Sequence, residues 1–208
     1  MDRANHNESL AGVEIHGMTR SAFILRGALA AGAAYGSTAA GPFVARALAQ
    51  SGGGDTAIVN FALTLEYVEA AFYKAALADA KLTGAVKSLA TQIGANEQAH
   101  VEALSQLVNQ SGGSAAKAPK TSFPVRNEAS FLRLAATFEE TGVSAYNGAM
   151  PGLKSADLLT ALGSIAQTEA RHAAAIHDAA GQDPSPAAFD KTLTSAQVQS
   201  RVQPYITG

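Results

Sequence analysis

Two Glu-x-x-His pairs constrain the fold of this chain more than any other feature of its sequence. One pair is Glu97/His100 and the other is Glu169/His172. Each pair interrupts a stripe of apolar residues with helical spacing, so each is predicted to face the interior of a helical fold. Three residues are close to one helical turn, and both side chains of a pair can therefore approach the same ion.

Four long segments show the periodicity of amphipathic helices, with no convincing strand pattern between them. The first two are predicted at about 56–79 and 84–110. The third starts near Asn127 and the fourth near Ser155, both of which are good N-cap residues. The sequence therefore predicts an all-α domain.

The connections between these segments predict their topology. The links at 80–83 and 150–154 are short, which makes each flanking pair of helices an antiparallel hairpin. The link at 111–126 can stretch to roughly 50 Å, whereas a 20-residue helix is about 30 Å long. It can therefore run back along the bundle, which predicts two hairpins joined by a long crossover. An irregular, proline-containing tail follows at 181–208 and is predicted to pack on the outside of the bundle.

Three more glutamates fall on the apolar stripes. Glu66 and Glu69 lie on the first helix, and Glu139 lies on the third. With the two Glu-x-x-His pairs, they bring five carboxylates and two imidazoles into one interior without a Lys or Arg on the stripes. Unpaired buried carboxylates are very unfavourable, and two divalent cations would balance them. Because the chain has no Cys, any metal must bind carboxylates and imidazoles.

The two hairpins repeat the same spacing of polar residues. Tyr73 follows Glu66 by seven positions, and Tyr146 follows Glu139 by seven. The first Glu of each hairpin precedes the Glu of its Glu-x-x-His pair by 31 and 30 positions. An approximate two-fold relation between the hairpins follows, as a symmetric two-metal site requires.

The N-terminal region predicts export. Arg20 and Arg26 precede a small, apolar stretch at 27–45, and Ala47-Leu48-Ala49 offers the small residues of a signal-peptidase site. The leader also resembles a twin-arginine signal, except that Ser21 replaces the second Arg. The alternative is an uncut membrane anchor. The predicted organisation is an export signal at 1–49, cleaved after Ala49, a bundle at 50–180 and a tail at 181–208. The mature protein would be periplasmic, on the cell surface or extracellular.

Three stretches of the chain resemble a known superfamily: Leu65–Tyr73, Glu97–His100 and Glu169–His172. They are similar to the ferritin-like superfamily, and more narrowly to exported bacterial ferritin-like proteins related to plant desiccation-associated proteins. The likeness covers residues 55 to about 208. It implies a ferritin-like four-helix bundle with a di-iron site, whose six ligands would be Glu66, Glu97, His100, Glu139, Glu169 and His172.

The resemblance also implies roles within that site. Tyr73 and Tyr146 would donate hydrogen bonds to ligand carboxylates, and we expect each to cross to the other hairpin, Tyr73 to Glu139 and Tyr146 to Glu66. Glu97 and Glu169 would bridge the two metals, with Glu66 and Glu139 as terminal ligands. Three roles are open for Glu69: an additional metal ligand, a hydrogen-bond partner of water at the site, or a structural polar residue satisfied by hydrogen bonds.

Outside the predicted site, three polar residues are expected to be exposed. Glu102 and Glu140 lie off the apolar stripes of their helices. His177 lies five positions past His172, off the ligand face and near a helix end. These three residues are therefore predicted not to contribute to the metal site.

The expected partners are two iron ions, or alternatively two manganese ions, together with O2 or H2O2. Three functional classes stay open: an oxidoreductase (ferroxidase, peroxide-scavenging or catalase-like), an iron-storage cage and a metal-poor structural protein of desiccation or stress. Without Cys the chain has no iron–thiolate electron donor of its own. The formal net charge of −2 does not suggest a nucleic-acid partner. Contact with a membrane is expected only if the signal stays uncut, and a homo-oligomer is left open.

Overall fold

A computed structural model of the chain describes residues 54–207 and the backbone of two short strands in the leader. The strands, β1 (Glu14–Ile15) and β2 (Met18–Thr19), pair antiparallel. Apart from them, the predicted export signal and its cleavage site after Ala49 lie outside the described residues. The four predicted helices are α1 (Asp55–Asp79), α2 (Gly84–Gln110), α3 (Glu128–Ala149) and α4 (Ala156–Ala179).

The helix starts follow the predicted caps. The Asn127 side chain accepts a hydrogen bond from the Ser130 backbone N–H, and the Ser130 hydroxyl accepts one from the Asn127 N–H. Ser155 caps α4 through the backbone N–H of Leu158. The Asp55 carboxylate, in the first turn of α1, accepts the N–H groups of Lys154 and Ser155 at 2.9 and 2.7 Å. The start of α1 is thereby attached to the α3–α4 connection.

The helices pack as two hairpins, α1 on α2 and α3 on α4. Further contacts join α1 to α3 and α4, and α2 to α4. The crossover at 111–127 is held against α1 by Asn60, whose side chain donates to the Ser114 carbonyl and accepts from the Ala116 N–H, both at 2.8 Å. These features confirm the predicted all-α bundle of two hairpins with one long crossover.

The C-terminal tail is more ordered than the prediction of an irregular segment. It forms α5 (Ser195–Val202), which starts at a capping box between Thr194 and Gln197. Val198 and Val202 are buried in the bundle core. The chain just before α5 touches α3 at Gly148, where an added Cβ would lie only 2.1 Å from the Leu193 carbonyl oxygen. Glycine at position 148 therefore lets the tail pack directly on the bundle.

An aromatic cluster fills the core at one side of the polar centre. Phe72 stacks on Phe131 with ring centroids 5.7 Å apart and also packs against Tyr73, Phe123 and Phe138. This packing fixes the α1 backbone next to the predicted site. Among the helices at 54–207, none combines the length and the hydrophobicity that crossing a bilayer requires.

Candidate metal centre

The seven polar residues predicted on the helix stripes meet in the interior of the bundle. Each hairpin delivers its Glu-x-x-His pair from its second helix and its remaining carboxylates from its first helix. The carboxylates and His172 are at most 5% exposed, and the His100 side chain is 12% exposed. The cluster comprises Glu66, Glu69, Glu97, His100, Glu139, Glu169 and His172.

Six of these residues form two overlapping groups. In the first, ligand atoms of Glu66, Glu97, His100 and Glu169 all lie within 4.8 Å of one another. In the second, the same holds for Glu97, Glu139, Glu169 and His172. Each group therefore contains three carboxylates and one imidazole. Glu97 and Glu169 belong to both, as carboxylates that bridge two metals would.

The two imidazoles turn Nδ1 toward the carboxylates. His100 Nδ1 lies 3.2 Å from oxygens of Glu66, Glu97 and Glu169. His172 Nδ1 lies 2.9 Å from Glu97 and 3.5 Å from Glu139. A single Nδ1–H can donate to only one of these oxygens at a time, so the imidazoles leave most of the carboxylate lone pairs without a donor.

Several buried polar atoms of the centre consequently make no well-directed hydrogen bond, although some of them lie within 4 Å of an imidazole. They are Glu69 Oε2, Glu97 Oε1, Glu139 Oε2, both carboxylate oxygens of Glu169, and His172 Nδ1. Within residues 54–207, the only cationic groups within 4 Å of this cluster's carboxylates are the two imidazoles. Buried polar atoms are nearly always satisfied in folded proteins. Two cations with several coordination positions each would satisfy these atoms together, and the donor set of oxygens and imidazole nitrogens suits iron or manganese.

Two tyrosines tie the hairpins together at the centre. Tyr73 of α1 donates a hydrogen bond to Glu139 of α3, and Tyr146 of α3 donates one to Glu66 of α1. These are the two cross-hairpin hydrogen bonds expected from the sequence. Burial raises the pKa of both tyrosines well above its usual range, so they remain protonated donors.

Sequence reasoning missed Asn96, whose side-chain amide lies 2.9 Å from His172 Nε2. Asn96 fixes the orientation of this imidazole so that Nδ1 faces the carboxylates. The corresponding residue before the second Glu-x-x-His pair is Thr168, whose hydroxyl donates to the Ser164 carbonyl instead. The sequence feature that could have identified Asn96 is its position directly before Glu97. Its contact with the other hairpin appears only in the folded structure.

Burial and crowding set the protonation of the metal-free centre. Burial raises the pKa of Glu66 to about 8, although its hydrogen bond with His100 opposes this. Burial and the neighbouring charge of Glu169 raise the pKa of Glu69 well above its usual value. Burial alone would lower the pKa values of His100 and His172, but hydrogen bonds with the carboxylates raise them to about 12 and about 10. The metal-free centre therefore holds two imidazolium ions among its carboxyl groups.

We expect the stability of the metal-free protein to fall as the pH rises from about 5 to about 8. The pKa of Glu66 is raised from 4.5 to about 8, so its contribution is complete below 4.5 and lost as the pH approaches 8. The contribution of His100 is complete below 6.5 and is lost as the pH rises toward 12. Each such group changes the free energy of unfolding by about 1.4 kcal/mol per pH unit between its two pKa values.

Thermal melts of chelator-treated protein at several pH values between these limits would measure this slope. The pKa of Glu97 is lowered to about 2, because hydrogen bonds with His100 and His172 outweigh its burial, so its opposite contribution changes only below pH 4.5. A melting temperature that rises across the range would contradict the assigned protonation. In the presence of metal, stability should instead rise with pH, since metal binding displaces the same protons.

The three residues predicted to lie outside the site do so, with one correction. Glu102 and Glu140 are exposed, as predicted. His177 was predicted to be a surface residue, but it is only 8% exposed. It lies between the Glu140 carboxylate at 3.0 Å and the Asp183 carbonyl at 3.2 Å, because the chain after α4 turns back over the helix end. The periodicity of α4 alone could not show this covering segment.

Comparisons with known proteins agree with the fold of the bundle. Residues 54–182 match a family model described as a ferritin-like domain. Among solved structures, a conserved hypothetical protein from Mycobacterium tuberculosis is similar, with a TM-score of 0.57 and 22% sequence identity. The match covers 67% of this chain and 99% of that one, and it shows a shared fold. A search of curated proteins found no match.

Proposed function

This chain belongs to the ferritin-like domain family, and we propose that its bundle binds two metal ions, in the first place iron, for reaction with O2 or H2O2. The observation that carries the proposal is the overlap of the two ligand groups at Glu97 and Glu169. Each group offers one imidazole and three carboxylates to one ion. The unpartnered oxygens of Glu169 support a ligand role for this residue in both groups.

The charges of the six ligands suit two divalent ions. Glu66, Glu97, Glu139 and Glu169 carry four negative charges when ionised, which balance two M²⁺ in a site that excludes bulk water. Neutral imidazoles add nitrogen donors without changing this balance. Manganese prefers similar ligands, so two Mn²⁺ with catalase-like chemistry are the alternative cofactor.

The chain's own residues would hold the ligands and shield the reaction. When bound, two Fe²⁺ ions would supply electrons for the reduction of O2 or H2O2. Tyr73 and Tyr146 orient the terminal carboxylates Glu139 and Glu66, and Asn96 orients His172. The buried aromatic side chains next to the site exclude water. These roles fit a ferroxidase or a peroxide-scavenging enzyme that takes its electrons from outside the chain.

Export is part of the proposal. Its support is the basic, apolar and small-residue pattern of residues 1–49, which resembles a secretory signal. The protein would then act outside the cytoplasm, on iron or oxidants of the periplasm or the cell surface.

Anaerobic titration with Fe²⁺ and, separately, Mn²⁺ tests the proposal directly. We expect saturation at about two ions per chain, followed by metal-dependent consumption of O2 or H2O2 on exposure to the oxidant. Exposed carboxylates provide the matched control, since Glu102→Gln should leave both the stoichiometry and the rate unchanged. If neither metal binds, the buried Glu and His residues satisfy one another through protons, and the metal-poor structural role would replace this proposal.

A further inference from the structure

The two-fold relation between the hairpins is broken three residues after the first metal-site glutamate of each hairpin. Glu69 lies three residues after Glu66, and Gly142 lies three residues after Glu139. The hydrogen bonds from Tyr73 to Glu139 and from Tyr146 to Glu66 show that α1 and α3 run antiparallel past the site. Positions 69 and 142 therefore face each other near the pseudo-two-fold axis, where one helix has a carboxylate and the other has no side chain.

Gly142 provides the space in which two carboxylates meet. A Cβ atom at this position would lie 2.8 Å from Glu169 Oε2 and 3.0 Å from Glu69 Oε1. Real Cβ atoms essentially never approach within 3.0 Å, so any larger residue would push at least one carboxylate away. Gly142 has ordinary helical backbone, so space rather than conformation requires glycine. Gly163 of α4 differs, because a Cβ there would meet nothing within 4 Å.

Glu69 belongs to the centre and not to the surrounding packing. The residue is 3% exposed, and its Oε2 has no hydrogen-bond partner among the described residues. Neither oxygen of Glu169, which faces the same space, makes a well-directed hydrogen bond, although His100 Nδ1 lies 3.2 Å from Oε1. Two buried carboxylates that face one gap repel each other unless one of them is protonated or positive charge lies between or beside them. Glu69 is therefore a fifth carboxylate directed at the metal positions.

We infer that Glu69 makes the centre favour the oxidised metal pair, with Gly142 supplying the room that its carboxylate occupies. This inference rests on the proposed binding of two metal ions. Cations beside a buried carboxyl group favour its ionised form, so metal binding would ionise Glu69 although burial raises its pKa in the metal-free centre. Four ligand carboxylates would balance two M²⁺, and the fifth would balance the additional positive charge of an oxidised pair. In a buried site an added negative charge stabilises the more positive state. Glu69 thus lowers the reduction potential of the centre.

The midpoint potential of the iron-loaded protein, compared with that of Glu69→Gln, tests this inference. Glutamine keeps the shape of the side chain but removes its charge. We expect the variant's preference for oxidised over reduced iron to fall at least tenfold, which corresponds to an upward shift of about 59 mV or more. Glu102→Gln, on the exposed face of α2, should leave the potential unchanged. An unchanged potential in Glu69→Gln would overturn the inference.

A pair of glycine variants tests the role of Gly142. Gly142→Ala should shift the potential in the same direction as Glu69→Gln, because the new methyl group crowds Glu169 Oε2 and Glu69 Oε1 and moves carboxylate charge away from the centre. Gly163→Ala adds the same methyl group in open space and should have no effect. If Gly142→Ala behaves like Gly163→Ala, the role assigned to Gly142 is overturned.

Zn²⁺ titration separates failure of this inference from failure of the proposed function. Zinc is redox-inert, so it reports the binding of divalent ions alone. Wild-type protein and Glu69→Gln should each bind about two Zn²⁺, since the six shared ligands are intact. No zinc or iron binding by the wild type would overturn the proposed function itself. Loss of zinc from Glu69→Gln alone would make Glu69 a required ligand, which contradicts a role through charge.

Discussion

Replacing Glu97 and Glu169 together by alanine is expected to reduce bound metal from about two ions per chain to almost none. These two carboxylates are shared by both ligand groups, so their removal takes two oxygen ligands from each metal position. Each position would keep one carboxylate and one imidazole, which is too few ligands to compete with water. Elemental analysis of metal-loaded, desalted protein measures the loss.

The matched control removes two exposed carboxylates from the same two helices. Glu102→Ala/Asp178→Ala changes the net charge by the same amount but leaves the centre intact, so it should retain about two ions per chain. Circular dichroism of both proteins checks that each variant is folded. Full metal retention by a folded Glu97→Ala/Glu169→Ala protein would show that the metal binds elsewhere.

Substituting Tyr73 and Tyr146 by phenylalanine is expected to weaken metal binding by roughly 10- to 100-fold for each substitution. Each hydroxyl donates to a carboxylate of the opposite hairpin, Tyr73 to Glu139 and Tyr146 to Glu66. Without that donor, the carboxylate loses its fixed orientation and one of its oxygens is left unsatisfied. Phenylalanine keeps the buried ring, so the aromatic packing should persist. Competition with a chelator of known affinity measures the change.

Tyr205 offers a control for this experiment. Its ring packs on Phe123 and Phe138, away from the metal centre, so Tyr205→Phe should leave the affinity unchanged. The double variant Tyr73→Phe/Tyr146→Phe should bind more weakly than either single variant, because each tyrosine supports a different terminal carboxylate. Wild-type metal affinity in Tyr73→Phe, in Tyr146→Phe and in the double variant would show that the hydroxyls do not position the ligands.

The buried polar groups of the centre destabilise the metal-free bundle, and the aromatic packing beside them compensates in part. Five buried carboxylates and two imidazoles weaken a metal-free bundle, since several of their atoms lack partners. The aromatic cluster around Phe72 packs directly beside Tyr73 and offsets part of this cost. A bound cation would stabilise the folded state further, because the unfolded chain cannot assemble the site.

The sequence by itself determined the four helices, the N-caps of two of them and the Glu, His and Tyr residues of the centre. Helical periodicity and capping are local properties, so α1 to α4 could be placed from the apolar stripes and from Asn127 and Ser155. The cross-hairpin tyrosine contacts followed from the resemblance and the repeated seven-residue spacing, and the structure contains both. The buried Glu and His residues stood out because polar residues on an apolar stripe are energetically unfavourable without a partner.

Only the tertiary structure decided what depends on distances between elements far apart in the chain. Asn96 reaches His172 across the bundle, His177 is covered by the segment after α4, and α5 packs in the core although its short pattern predicted no helix. The role of Gly142 appears only when the Glu69 and Glu169 carboxylates are seen beside it. A glycine in a helical pattern shows that a side chain is missing, but the packed neighbours alone show what occupies its place.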